Sequence, residues 1–496
     1  HGQLSGKKMA TGILFLLICM VHCSFEYDIN DPKTNLDFFV RTVGSRDPKV
    51  ETVNYLNGSV FAKIPDMPLV KIFNYEGYNI NRKVPLANGS YNSLSREFVV
   101  YRDPETYVIQ RVWINIYTGL ANEVFFVAND PVNGHFRLGD IVPTKILPRE
   151  NIGFNSDIVL EYPNALDPVN YSRYSAGPVY DSVELFEFFV NVTRLATTKD
   201  DSVPSVGTWA RKSQFLPWME MSTTPGDLYY TTMFWKCMDG LNCVAKDVLD
   251  IIKAEFPIYL KAPSSYEIPN ETSWTQFKEV IDKRRKAGLP DIIIPQVNIT
   301  QNVTSRETWV DPRILRILAS NSISVHFNGT GMSEIVGKQQ INLFNFEGEA
   351  FLRVNLPTNP INSYSATIYA TGVYQDPNNG TILTNWFNPI TGITVEVPPI
   401  IIQSLNVYIP RDFVYSMSLP SEDSLGLITA QSNPWGELWD VNLVNLLFGD
   451  SDLNMAADDV FFYGTFARFS HWLPWMEMGD VDGKLVLKAT VFRNVP

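Results

Sequence analysis

The sequence states one long pattern twice. Ser213-Gln214-Phe215-Leu216-Pro217-Trp218-Met219-Glu220-Met221 returns as Ser470-His471-Trp472-Leu473-Pro474-Trp475-Met476-Glu477-Met478, identical from the leucine onward. Upstream, Phe73-Asn74-Tyr75-Glu76-Gly77 answers Phe344-Asn345-Phe346-Glu347-Gly348, and Asp103-Pro104, Trp113 and Thr118-Gly119 answer Asp376-Pro377, Trp386 and Thr391-Gly392. The blocks keep their order, at separations of 271, 273 and 257 residues. Two like units are therefore expected, not a solenoid of short repeats. The first unit is placed at residues 33–262 and the second at 306–496. Between them, in 263–305, Pro263, Pro269 and Pro290 punctuate a linker with one short helix, Ser273 to Ala287, closed by Gly288.

Inside each unit the dominant signal is β. Strand-forming runs from Phe98 to Tyr101, Tyr107 to Ile116 and Asn122 to Ala128 alternate with turns at Asp103-Pro104 and Thr118-Gly119, and the second unit repeats the scheme. Leu228 to Trp235 follows the turn Pro225-Gly226-Asp227, as Lys484 to Phe492 follows Asp482-Gly483. Helices are few: Ala245 to Leu260 is amphipathic, and Asp181 to Ala196 reads as helix or strand. Meander strands in a water-exposed protein must hide their edges, which predicts a mainly β chain of two tandem antiparallel β-barrel-like domains.

Lys7 and Lys8 precede an apolar run from Ile13 to Val21, long enough for a signal-peptide core but short of the roughly 20 residues a membrane span needs. Residues 1–24 are read as a leader and its preceding residues, so the protein is expected to be secreted, with no membrane span. Secretion would make glycosylation acceptors of the Asn-X-Ser/Thr sites at Asn57, Asn88, Asn170, Asn191, Asn270, Asn298, Asn302, Asn328 and Asn379. Asn57-Gly58-Ser59 and Asn328-Gly329-Thr330 fall at the same separation of 271, which predicts surface loops there. Beyond the leader only Cys237 and Cys243 remain, close enough to bridge a Gly-containing turn. The formal charge is −13, or −15 without the leader lysines, so neither nucleic acid nor an anionic membrane is an expected partner. The basic run Lys283-Arg284-Arg285-Lys286 reads as a solvated helix face.

Chemistry-bearing motifs are sparse. His135, His326 and His471 lack metal-ligand spacing, so no metal site is expected, and no nucleophile elbow, phosphate loop or dinucleotide fingerprint is present. Both units keep arginines, Arg82 with Arg353 and Arg211 with Arg468, and glutamates, Glu76 with Glu347 and Glu220 with Glu477. They are expected either to form Arg–Glu bridges closing a barrel end or to hold the polar head of an apolar ligand. Trp113, Trp218 with Met219, Trp386, and Trp475 with Met476 place large polarizable groups at matching points, as a core or a pocket for a flat apolar molecule would.

Several local motifs carry a family resemblance. Ser95-Arg96-Glu97, Tyr101-Arg102-Asp103-Pro104-Glu105-Thr106, Tyr117-Thr118-Gly119, Ala128-Asn129-Asp130-Pro131-Val132-Asn133, and Trp209-Ala210-Arg211 with the Leu-Pro-Trp-Met-Glu-Met block resemble the uncharacterised domain family numbered 1838, as does Pro269 to Thr275. The second unit departs, with Tyr369-Ala370 in place of Arg96-Glu97 and no Asn-Asp-Pro-Val-Asn. The resemblance implies an antiparallel β domain and supplies no activity. The expected function is a secreted glycoprotein binding a carotenoid-like pigment or a lipid, with a second copy of the chain allowed as partner. The alternatives are an extracellular enzyme using Glu97 and Asp130 with Arg96 and Arg211 on a small apolar substrate, and a structural or storage glycoprotein without a ligand.

Overall fold

The computed structural model describes residues 27–144, 147–267, 274–295, 310–319, 323–355, 363–420, 422–432, 439–449 and 452–493; the leader lies outside them. The chain is mainly β, and nearly all of its strands belong to two antiparallel sheets. The first is built on β1 (Thr52–Lys63), β2 (Val70–Pro85), β3 (Tyr91–Arg102), β4 (Val179–Asn191), β5 (Val206–Ser213) and β6 (Asp227–Cys237). Their order is β3-β2-β1-β6-β5-β4, extended by Val127–Asn129 and Gly134–Phe136 beyond β3 and by Asn151–Asn155 and Ile158–Pro163 beyond β4. The second comprises β7 (Ile323–Glu334), β8 (Asn342–Asn355), β9 (Ser363–Gln375), β10 (Ile400–Pro410), β11 (Val414–Ser418), β12 (Glu422–Ser432), β13 (Trp439–Gly449), β14 (Phe462–Ser470) and β15 (Lys484–Arg493). Its order is β10-β9-β8-β7-β15-β14-β13-β12-β11. In both sheets the first long strand pairs with the last, β1 with β6 and β7 with β15. Among the described residues no pairing joins the outer edges, so each barrel stays open on one side.

The two sheets pack against each other through β4, β5 and β6 and through β12, β13, β14 and β15. Phe61, Val183, Leu185 and Tyr229 meet Ile428, Leu443, Phe469 and Val486, while Phe189 and Met233 meet Leu447, Tyr463 and Phe492. At the centre Thr231 Oγ1 donates to Asn445 Oδ1 at 2.7 Å. These strands are thus buried on both faces, and this is why Leu228 to Trp235 and Leu485 to Phe492 read as almost continuous apolar runs.

Helices cover what the sheets leave open. α1 (Pro32–Val43) is capped by Asp31 and sets Phe39 edge-on to Phe136 at 5.2 Å and to Phe154 at 5.8 Å. Those rings belong to the two opposite outer edges, so α1 bridges the gap between them. α2 (Lys246–Glu255) buries Val248 and Ile252 on Tyr55, Tyr78, Ile80 and Phe98, the outer face of the first sheet. α3 (Thr275–Lys286), the helix expected between the units, docks on the first one: Phe277 meets Phe125 at 4.8 Å, and Arg284 bridges Glu123 at 2.7 Å. Its basic run is thereby partly ion-paired and not simply solvated. α4 (Pro312–Leu318), capped by Asp311, buries Ile314 and Ile317 in the second core.

The expected continuous meander from Phe98 to Ala128 does not form. Past Arg102 the chain leaves the sheet, and Val112–Ile114 pairs only with Ala121–Glu123, a separate hairpin matched in the second unit by Asn385–Phe387 and Thr394–Glu396. The segment between is spent on turns that the side chain of Asp103 holds by accepting from the backbone N–H groups of Glu105 and Thr106. The segment Asp181 to Ala196 resolves as β4 followed by one helical turn, Val192–Thr197, capped by Asn191.

Candidate functional site

The repeated blocks meet at the end of each barrel. Trp218, fully buried, is surrounded by Phe73 at 5.8 Å, Tyr101 at 5.4 Å and Trp113 at 6.3 Å. Trp475 meets Phe344 at 5.8 Å, Tyr374 at 5.0 Å and Trp386 at 5.6 Å. The hairpin clamps the loop identically in both places: Asn115 Nδ2 donates to Met219 O at 2.8 Å and Asn388 Nδ2 to Met476 O at 2.9 Å. Met219 and Met476 are fully buried beneath it. The Trp-Met pairs are end-cap packing, and neither pair lines the cavity described below.

The recurring arginines and glutamates do not bridge one another as expected. Arg82 lies on the outer face and donates to Pro263 O at 2.6 Å, and Arg353 is exposed on the outer face of β8. Glu76 instead pairs with Arg102 at 2.8 Å, and Glu220 with Arg173. The reason is strand alternation: Glu76 and Arg82 share the outward side of β2, whereas Arg211 and Arg468 point inward. Arg96 and Asp130 bridge at 2.7 Å, and Arg96 also holds Lys261 O at 2.8 Å, which keeps both away from Glu97 on the inner side.

Arg211 and Arg468 occupy the same place in two different chambers. In the first, Arg211 Nη1 stands 3.5 Å from Glu184 Oε1, its Nε donates to Ser182 Oγ at 3.0 Å, and it also binds the Tyr180 hydroxyl. Glu97 accepts from Asn129 Nδ2 at 3.0 Å. Burial, reinforced by Glu184, pushes the Glu97 carboxyl above the ordinary range, and burial raises that of Glu184. Around them stand Phe186, Phe188, Trp209 and Tyr230, with Phe186 stacked on Trp209 at 5.5 Å.

In the second chamber Arg468 pairs with Asp440, whose carboxyl burial raises. Everything else is lean and apolar. A cavity of about 390 Å³ opens there, lined by Phe346, Leu352, Ile368, Leu405, Val444, Phe466 and similar side chains, with Arg468, Asn442 and Thr429 at its polar points. Pairing register gives the equivalences. Glu184 faces Arg211 and Arg211 faces Tyr230, as Asn442 faces Arg468 and Arg468 faces Leu487; Phe186 faces Trp209 as Val444 faces Phe466. Smaller side chains on the same frame leave the volume. Of the ten residues singled out from sequence for ligand contact, Arg468 alone lines the cavity. Glu184 and the aliphatic lining were missed, although reading two residues at a time from Arg468 along its paired strands would have reached them.

Among the remaining expectations, Cys237 and Cys243 stand at disulfide distance, with Cα atoms 6.0 Å apart. Asn57 and Asn328 are not in loops but lie in β1 and β7, and the Asn57 amide is engaged by Glu76 and Tyr107. The glycines that suggested turns serve close strand approach: a Cβ on Gly58 would lie 2.2 Å from Thr231 O, and one on Gly329 2.1 Å from Lys488 O. Asn88, Asn170 and Asn379 are exposed, Asn191 caps its helical turn, and Asn270, Asn298 and Asn302 fall outside the described residues. Among the described residues there is no cluster fit to hold a metal ion, and no helix is long and apolar enough to cross a membrane.

Residues 50–281 match the model of a family described as Protein of unknown function (DUF1838). No curated protein matches the chain. Solved structures with weak likeness include Rv2717c from M. tuberculosis, at 10% identity and TM-score 0.13 over 37% of this chain and 98% of that one. OmpT, an outer membrane protein of Vibrio cholerae, is 5% identical at TM-score 0.15, covering 90% of this chain and 99% of its own. OmpF of Salmonella typhi, in complex with daunomycin, is 6% identical at TM-score 0.14, covering 90% and 97%. Likenesses this faint say nothing of shared architecture or activity.

Proposed function

We propose that the protein is an extracellular binding protein whose second half carries an apolar small molecule. The observation that supports this reading is the cavity of about 390 Å³ lined by aliphatic and aromatic side chains in the second barrel. Its size is at the lower end of ligand pockets, about 300–1,000 Å³, which favours a lipid of one chain or a compact ring system over a full-length carotenoid-like polyene. Burial of such a molecule supplies affinity without any chemistry, and a few polar points fix its orientation. Arg468 Nε is buried at this wall with no hydrogen-bond partner, while the charge of Arg468 is already balanced by Asp440. A neutral acceptor at one end of the ligand, a hydroxyl or carbonyl oxygen, suits that donor better than a second carboxylate. The leader-like N-terminal run and the cysteine pair support the extracellular reading.

The test is an organic extract of the purified protein, analysed by mass spectrometry, with thermal unfolding before and after delipidation. An apolar compound in the extract and a lower midpoint without it are expected, since a ligand at a hundredfold excess over its dissociation constant adds roughly 2.7 kcal/mol. Leu446→Trp, which projects a larger ring into the cavity, should weaken both signals. An empty extract with an unchanged midpoint overturns the proposal.

A further inference from the structure

The outer face of the second sheet ends in an apolar lip. Phe351 on β8 and Tyr369 on β9 are direct cross-strand partners that point away from the barrel, 43% and 46% exposed. Beside them on the edge strand β10, Ile401 stands opposite Thr371 and is 61% exposed. The next residue, Ile402, pairs with Ala370 on the inner side, and both line the cavity. Among the described residues nothing pairs with the far side of β10, so the cavity wall ends at an open edge, one residue from the exposed Ile401.

The first half closes the same surface. By register, Ile80, Arg96 and Ala128 stand where Phe351, Tyr369 and Ile401 do. Ile80 is 2% exposed in the cluster beneath α2, Ala128 packs against that cluster, and Arg96 is held by Asp130 at 2.7 Å and Lys261 O at 2.8 Å. The half with the apolar cavity is thus the half whose apolar edge is bare. Glu349 and Arg353, both exposed, flank Phe351 with one charge of each sign, and the exposed Tyr369 and Tyr408 carry hydroxyls on apolar rings, as side chains at a boundary between hydrocarbon and water do. A formal charge of −13 disfavours an anionic surface. A second copy paired along β10 would cover the same residues, but it would also shut the opening that cargo must pass.

We propose that this lip docks on a zwitterionic lipid bilayer, from which the second barrel takes its cargo. Phe351, Tyr369 and Ile401 enter the headgroup boundary and bring Ile402, the end of the cavity wall, level with the lipid chains. An apolar molecule then crosses into the barrel without passing through water. The proposal rests on the apolar-carrier reading of the cavity and adds the source of the cargo. Burial of a few side chains gives weak, reversible attachment, which a carrier that must leave the surface requires.

Flotation of the full chain with phosphatidylcholine vesicles tests the docking, and uptake of a fluorescent long-chain alcohol tests the cargo. The protein should float with the vesicles, and Tyr369→Ser combined with Ile401→Ser should lower its partition into them about tenfold or more. The same double variant should bind the alcohol normally when it is delivered from ethanol, but take it up several-fold more slowly from vesicles. Both positions are exposed, so the unfolding midpoint of the double variant should match that of the parent. Leu446→Trp, inside the cavity, should weaken alcohol binding and leave flotation intact, which separates a failure of the carrier reading from a failure of the docking surface. A parent chain that stays out of the vesicle layer, or a double variant that floats as well as the parent, overturns the proposal. A dimer in light scattering that the double variant dissolves overturns it too, because a second copy then covers β10.

Discussion

Around two interiors built on the same strand register, Glu97, Glu184, Trp209 and Tyr230 in the first half give way to Ala370, Asn442, Phe466 and Leu487 in the second, while Arg211 and Arg468 hold the same point. The end caps, by contrast, keep their tryptophans, methionines and asparagine clamps almost atom for atom. What is repeated between the halves closes a barrel; what has diverged decides what the barrel can hold. The outer faces follow the same logic. Where α2 covers the first sheet, Tyr55, Tyr78 and Phe98 are apolar; at the matching positions the second sheet, without such a helix among the described residues, has His326, Glu349 and Thr371.

The strongest way to break the equivalence of the end caps is to truncate their central rings. Trp218→Ala should cost about 3–5 kcal/mol in chemical denaturation, because a fully buried indole leaves a cavity the clamped loop cannot close. Trp475→Ala should cost less, since Trp475 is only partly buried. Equal losses would mean that the two caps are energetically alike and that the difference in burial has no consequence.

The interiors can be sharpened by exchanging one residue. Ala370→Glu places the first chamber's carboxylate among aliphatic side chains and should cost about 3 kcal/mol at neutral pH, less in acid, where the new group is protonated. The reverse change, Glu97→Ala, removes a carboxylate whose hydrogen-bond partner, Asn129, is exposed, and should cost under about 1 kcal/mol. If both changes cost the same, the second chamber tolerates charge as the first does, and its apolar reading fails.

The mainly β class, the two-barrel plan and the helix after Thr275 were legible in the sequence because they rest on local turn chemistry and on the repeat itself. The interior was not. Glu184 and Glu97 sit on strands far apart in sequence, and only the order β3-β2-β1-β6-β5-β4 brings both to the inner side of one barrel. The most conspicuous residues, the Trp-Met pairs, misled for a physical reason: large rings at a barrel end are needed to fill it, whether or not a ligand is present. The covering role of α1 was likewise hidden, since a helix that bridges two sheet edges carries no motif beyond the Asp31 cap and its buried phenylalanines.

A pH-dependent effect tests the far end of the same comparison, where Lys83 on β2 stands at the position of Val354 on β8. Lys83 is buried, donates to Ser93 Oγ at 2.6 Å and lies over Phe136, and burial pulls its amine down to about 7. Lys236 nearby is also buried and shifted well downward, again chiefly by burial. A depressed amine is less protonated folded than unfolded, so between about pH 7 and about 10.4 the unfolded chain binds more protons and stability rises with pH. One such group contributes about 1.4 kcal/mol per pH unit, or about 2–3 kcal/mol between pH 7.5 and 9.5. Lys83→Met, which gives the first half an apolar residue where the second has one, should lower the slope of unfolding free energy against pH by that amount while Lys236 keeps its own share. Denaturation curves collected across that range for both proteins decide it. Parallel slopes would show that Lys83 stays protonated in the folded state, held by solvent or by a partner that the packing around Phe136 does not provide.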